Sequence, residues 1–239
     1  MDVHWEEAGW ERLTARTGRR RLPVWDCTVG LVVGDGSVLL VDPGSCVREG
    51  TEVRAEAERL TGRSVTHIAF THGHFDHVLG ASAFPGAQVF GAVGLAALLA
   101  TGREELRRDA VRHGLAQAEA SEAVDRLVLP DHQVSGEWTL DLGGVQVLLA
   151  NVGPGHTGHD LAVFVAGDRE TVFCGDLVEE SGEPVAGPDA VPRQWPAALD
   201  RLLALGGEDA LYVPGHGAVV DARFVRAQRA TLAARSGVS

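Results

Sequence analysis

The chain has 239 residues, 45% of them hydrophobic, which is enough for one core, and a single domain over residues 1–239 is the expectation. Its formal net charge of -12 repels a phosphate backbone, and the densest basic run, Arg19-Arg20-Arg21, is too short to reverse that, so nucleic acid is not an expected partner. No apolar run approaches the roughly 20 residues of a membrane span, and residues 1–13 carry Asp2, Glu6, Glu7 and Glu11 with no basic run leading into an apolar one, so neither a membrane nor a secretion signal is read and a cytoplasmic location is expected.

Trp5 and Trp10 are read as packing residues, with a homodimer contact as the alternative. Residues 25–33 and 37–41 are Val- and Leu-rich runs separated by Gly34-Asp35-Gly36, which predicts an antiparallel hairpin. Residues 51–60 set Val53, Ala57 and Leu60 at helical spacing, and residues 65–70 form a short apolar strand that stops at a His-rich loop. Helical patterns resume at 78–83 and 93–125, the second with a charged face (Arg103, Glu104, Glu105, Arg107, Arg108) read as solvated. Strands are expected at 126–129, 138–142, 145–150, 161–165 and 171–174, then a helix at 196–205 and a last strand at 210–213. The Gly- and Pro-rich residues 181–192 are either the border of a substrate pocket or a plain connection. Cys27, Cys46 and Cys174 are odd in number and lack CxxC spacing, so they read as reduced, buried thiols.

The chemistry concentrates in Thr71-His72-Gly73-His74-Phe75-Asp76-His77, which places four candidate ligands in six positions directly after a predicted strand. In an extended segment His72 and His74 point the same way and can converge on one ion, while Asp76 and His77, past a turn, can face a second. Imidazole and carboxylate suit borderline divalent ions such as zinc. Two coordination spheres need more donors, and strand exits beside glycine supply them: His156 in Gly155-His156-Thr157-Gly158, Asp176 after Gly175, and His216 in Gly215-His216-Gly217. His159 reads as a hydrogen-bonding residue outside the metal set, and His4, His67, His113 and His132 as structural or exposed. Cys174 alternates onto the side of Asp176 but is expected in the core.

HxHxDH, GHT, GD and GHG, in that order, resemble the metallo-β-lactamase fold superfamily in its glyoxalase II-like branch. The resemblance implies an α/β (α+β) fold, a four-layer αβ/βα sandwich with metals at one edge. It implies a first ion on His72, His74 and His156, a second on Asp76, His77 and His216, and Asp176 bridging them. Asp42, in Val41-Asp42-Pro43-Gly44, resembles the family's first motif and would orient ligands. Two divalent cations, zinc first with iron or manganese as alternatives, would lower the pKa of bound water from about 15.7 to about 7 and polarise the bond under attack. Asp76 would orient that nucleophile and accept its proton.

The expected activity is therefore hydrolysis of an ester, thioester, lactone or related bond in a small molecule. Residues 217–239 are too few for the helical substrate domain of glyoxalase II enzymes, which disfavours glutathione thioesters. Glu179 stands where acyl-homoserine lactonases carry Tyr, which weakens lactones, and Asp176 stands where zinc β-lactamases usually lack Asp. The rival chemistry is that of a persulfide dioxygenase, which resembles this fold and holds one iron by two His and one Asp. A non-catalytic metal-binding domain is the rival of another class.

Overall fold

The computed structural model describes residues 3–238; Met1 and Asp2, part of the segment read for a secretion signal, and Ser239 lie outside the described residues. The chain opens with a 3-10 turn at Trp5–Ala8. It continues through β1 (Glu11–Arg12), β2 (Thr17–Arg21), β3 (Thr28–Val33), β4 (Val38–Val41), α1 (Val47–Thr61), β5 (His67–Ala69), α2 (Phe75–Val78) and β6 (Gln88–Ala92). Next come α3 (Leu95–Thr101), α4 (Arg103–Arg112), α5 (Gln117–Asp125), β7 (His132–Val134), β8 (Glu137–Asp141), β9 (Gln146–Asn151) and β10 (Leu161–Val165). The last elements are β11 (Thr171–Glu179), α6 (Trp195–Gly206), β12 (Leu211–His216) and α7 (Ala222–Ser236). Strands β1 to β7 form one sheet in sequence order, and a second sheet runs β12-β11-β10-β9-β8.

Strand alternation explains why four layers form. Along β3 and β4, Val29, Leu31, Val33, Val38 and Leu40 face α1 and its neighbours, whereas Val32, Leu39 and Val41 face the second sheet. On β10, Leu161, Val163 and Val165 point back at the first sheet, while Ala162 joins Trp195, Leu199 and Leu202 under α6. Both faces of each sheet are thus apolar, and each must be covered. The result is three hydrophobic seams: helix on sheet, sheet on sheet, and sheet on helix. Trp5 and Trp10 are buried in the first seam with ring centroids 6.4 Å apart, as packing residues. Among the described residues no helix is long and apolar enough to cross a membrane.

The hairpin at β3 and β4, the helix over 51–60 and most strands of the second half stand where the sequence predicts them. Several expectations are corrected. The helix over 93–125 is three helices, interrupted at Gly102 and by Gly114, whose φ of +107° suits glycine. The pattern over 78–83 divides into the one-turn α2 and a 3-10 turn at Ala81–Ala83. No strand forms at 126–129, because Pro130 follows without an amide hydrogen; the ladder begins beyond it at β7. Strand β6 and helix α7 carried no sequence expectation, nor did β2, which contains Arg19, Arg20 and Arg21. The arginine run fits a strand because each guanidinium meets an acid: Arg19 with Glu11 at 2.7 Å, Arg20 with Glu56, and Arg21 with Asp26.

Leu149 is fully buried in the seam between the sheets. Leu149→Ala is expected to lower unfolding stability by about 2–5 kcal/mol, read from the urea midpoint at unchanged slope.

Candidate metal centre

The site lies where strands of both sheets end. Strand β4 runs directly into Asp42, and β5 leads through Thr71 and His72 to His74, which caps α2 and hands on to Asp76 and His77 within that helix. His156 sits in the loop after β9, and His216 is the last residue of β12. Asp176 departs from the expectation of a strand exit. Strand β11 continues past it to Glu179, and the pairing with β12 shifts register on either side of Gly175. Gly175 has a φ of +53°, and a Cβ there would stand 2.6 Å from Thr71 Oγ1, so glycine lets the strand bulge and turn the next side chain into the site. Gly215 answers a different need, since a Cβ there would overlap Asp176 Oδ1.

All seven predicted residues are brought together. His72, His74, His156 and Asp176 form one group able to hold a metal ion, His77, Asp176 and His216 form another, and Asp76 falls in a third with Cys27 and His77, each with its donor atoms within 4.8 Å of one another. Asp176 belongs to the first two. Its Oδ2 lies 3.5 Å from His156 Nε2, 3.7 Å from His72 Nε2 and 3.3 Å from His216 Nε2, and its Oδ1 lies 3.3 Å from His77 Nε2. Asp76 Oδ2 stands 3.4 Å from His216 Nε2 and 3.5 Å from His77 Nε2.

The far nitrogens of four of these five rings are occupied by the protein, whereas that of His156, Nδ1, is buried without a partner. His77 Nδ1 donates to Asp42 Oδ2 at 2.8 Å, and His216 Nδ1 donates to the Trp25 carbonyl at 2.7 Å. His74 Nε2 donates to Asp189 Oδ2 at 3.1 Å. Thr71 Oγ1 gives its hydrogen to Asp42 Oδ2 and so accepts from His72 Nδ1, at 3.0 Å. Each donation fixes the tautomer and turns the other nitrogen's lone pair inward. Consequently His72 Nε2 and Asp176 Oδ1 are buried without a hydrogen-bond partner, and His74 Nδ1 faces His156 Nε2 at 3.1 Å. Acceptors converging on one another in a dry site lack only a cation, so the donor set fits divalent metal.

The protonation pattern carries the same signal. Burial, with His77 nearby, holds His72 well below the usual imidazole value, and burial brings His156 down to about 4. Burial also opposes charge on His77 and His216, yet the acidic groups override it: His77 is held well above its usual value, and Asp176 lifts His216 to about 9. Burial would raise Asp176, but His77, His72 and His216 keep it well below the carboxylate range. Contact with the carboxylates thus favours charge on His74, His77 and His216, and the imidazoles in turn favour charge on Asp176.

Some contributors were not foreseen. Asp189, in the loop over residues 181–192, reaches His74, so that loop borders the site; a lone Asp in a Gly- and Pro-rich stretch gave no signal. Asp160 accepts from the Thr157 amide and hydroxyl at 2.9 and 2.7 Å and so fixes the turn carrying His156. Cys27 lies against His77 and Asp76, but burial pushes its thiol up to about 12 and its Sγ donates to the Asp76 carbonyl at 3.2 Å. His113 stacks on Phe75 with centroids 5.7 Å apart and lines the cavity beside the site. His159 hydrogen-bonds the Val93 carbonyl at 2.9 Å and takes no part in either group, and Cys174 is buried in the seam under α6. All three cysteines are free and buried.

Comparison with known proteins agrees with this geometry. The metallo-beta-lactamase domain-containing protein 1 of Xenopus laevis is 29% identical over 160 residues, which is 66% of this chain and 57% of that protein, so the chain spans little more than half the relative's length. A metallo-beta-lactamase from Pontibacter korlensis superposes with a TM-score of 0.72 at 20% identity, covering 93% of this chain and 97% of that one. The DIM-1 metallo-beta-lactamase exposed to ceftazidime superposes with a TM-score of 0.71 at 16% identity, covering 99% of both chains. These likenesses are of fold. The model of the metallo-beta-lactamase superfamily matches residues 22–216, a span that holds Asp42 and all seven converging side chains, and the chain belongs to that superfamily.

Proposed function

We propose that the protein is a metal-dependent hydrolase acting on an ester, thioester, lactone or related bond of a small molecule at a two-ion centre. The observation that carries this reading is Asp176, whose carboxylate is shared between two donor groups that would otherwise be separate sites. In this reading His72, His74 and His156 hold one ion and Asp76, His77 and His216 the other, with Asp176 between them and zinc the first choice of metal. When bound, such a pair supplies nucleophilic water at neutral pH and polarises the carbonyl under attack.

The side chains do the rest. Asp76 opens onto the cavity, and its carboxylate takes the proton released as water adds to the carbonyl. Asp42, Asp189 and the Trp25 carbonyl hold three rings in one tautomer and orientation, so little reorganisation is needed during reaction. Thr71, tied to Asp42 through its amide at 2.8 Å and its hydroxyl at 2.7 Å, holds the start of the ligand loop against β4.

Purified protein is expected to carry about two zinc ions per chain by mass spectrometry and to hydrolyse members of a thioester, ester and lactone panel. Asp76→Ala is expected to cut kcat/KM by about 10²–10⁴-fold and to leave a single ion bound. One iron per chain, with oxygen consumed on glutathione persulfide, would overturn the reading.

Asp189→Ala is expected to weaken metal affinity about 10–100-fold in competition with a chelating dye, with an unchanged melting temperature for the metal-free protein. Asp42 adopts a φ of +55°, which Asn also tolerates, so Asp42→Asn isolates the lost acceptor. Calorimetry or urea unfolding of the metal-free variant should show a stability loss of about 1–3 kcal/mol, because a buried donor loses its partner.

A further inference from the structure

A cavity of about 680 Å³ opens directly from the donor cluster, within the range that holds small ligands. His74, Asp76, His156, Asp176 and His216 line its inner end. Its wall is apolar. Phe75 has the edge of Trp25 against it at 5.2 Å and His113 stacked on it, and Leu98, Leu99 and Leu106 of α3 and α4 contribute the rest, with Val185 from the loop. Leu98 is 43% exposed and Val185 70% exposed, so folding leaves both in water at the mouth of a site otherwise built from polar groups. Apolar surface kept in such a place is surface that a ligand can bury.

The charges around the wall narrow the ligand further. Arg112 is the one arginine or lysine among the lining residues, and its guanidinium is already taken by Asp109 at 2.9 Å and Glu105 at 3.2 Å on its own helix. Glu179 and Asp189 add carboxylates on the other side. A phosphate or carboxylate on the substrate's carrier would find no free guanidinium or ammonium along this wall, and a chain of net charge -12 would repel it.

We propose that this cavity is a subsite for the apolar acyl or aryl part of an uncharged substrate, seated so that the bond to be cleaved lies beside Asp76 and Asp176. The choice of bond rests on the hydrolase reading; the binding of the apolar group does not. Two experiments keep them apart. In the first, chelated protein is titrated with the neutral fluorophore N-phenyl-1-naphthylamine. Saturable binding is expected, displaced at least about tenfold more effectively by decanoamide than by decanoate, and weakened about tenfold or more by Leu98→Asp or Val185→Asp. Both positions are exposed, and unchanged melting temperatures establish that the variants fold. Absence of binding, equal binding by the variants, or equal displacement by the anion overturns the subsite.

In the second, zinc-loaded enzyme is given acetyl, hexanoyl and decanoyl thioesters of N-acetylcysteamine and of coenzyme A. With the neutral carrier, kcat/KM should rise about three- to fourfold per added methylene from acetyl to hexanoyl, and the coenzyme A series should lag it. A flat chain-length profile, or preference for the polyanionic carrier, overturns the subsite. No turnover of any panel member and no metal bound, with fluorophore binding intact, overturns the hydrolase reading instead.

Discussion

Two carboxylates, Asp76 and Asp176, and five imidazoles share one buried pocket, and the architecture around them answers that crowding. Like charges at such separations in a poorly hydrated interior cannot all ionise unaided. The neighbouring carboxylates favour charge on His74, His77 and His216, while burial disfavours it on His72 and His156. A bound cation would ease the same crowding with stronger, localised charge, and the donor groups present could hold one.

Holding an ion in this way would require that the rings cannot rotate toward better partners elsewhere. Four of the five imidazoles are anchored at the outer nitrogen, through Asp42, Thr71, Asp189 and the Trp25 carbonyl. Asp42 does the most, since it accepts from Thr71 and from His77 while its own backbone sits in the left-handed region. A conformation of that kind persists only where surrounding contacts over-determine it. The packed seam beneath β4 and β5 is therefore part of the site's chemistry.

The converging residues were legible because metal binding demands particular residue types at strand ends beside glycine, and HxHxDH, GHT, GD and GHG meet that demand within the sequence itself. Strands with alternating apolar faces, such as β3, β4 and β10, were legible for the same reason: one local period encodes burial. Other elements were set by distant contacts. Nothing near Asp189 announces that its carboxylate will meet His74, 115 positions away. The arginine strand β2 is stable through acids on β1, α1 and the loop at Asp26, which periodicity does not register. The extension of β11 through Asp176 depends on pairing with β12, a partner that no window on β11 contains.

The β-bridge between Cys27 and His216, reinforced by Arg19 Nη1 donating to the Gly217 carbonyl at 2.9 Å, stitches the entry of the first sheet to the last strand of the second. Two of the donor groups also draw side chains from both halves of the chain: His72 and His74 with His156 and Asp176, and His77 with Asp176 and His216. Neither half alone holds either of these two sets. Any ion held by these sets would therefore depend on tertiary closure, and an unravelled polypeptide would lack the arrangement that could chelate it.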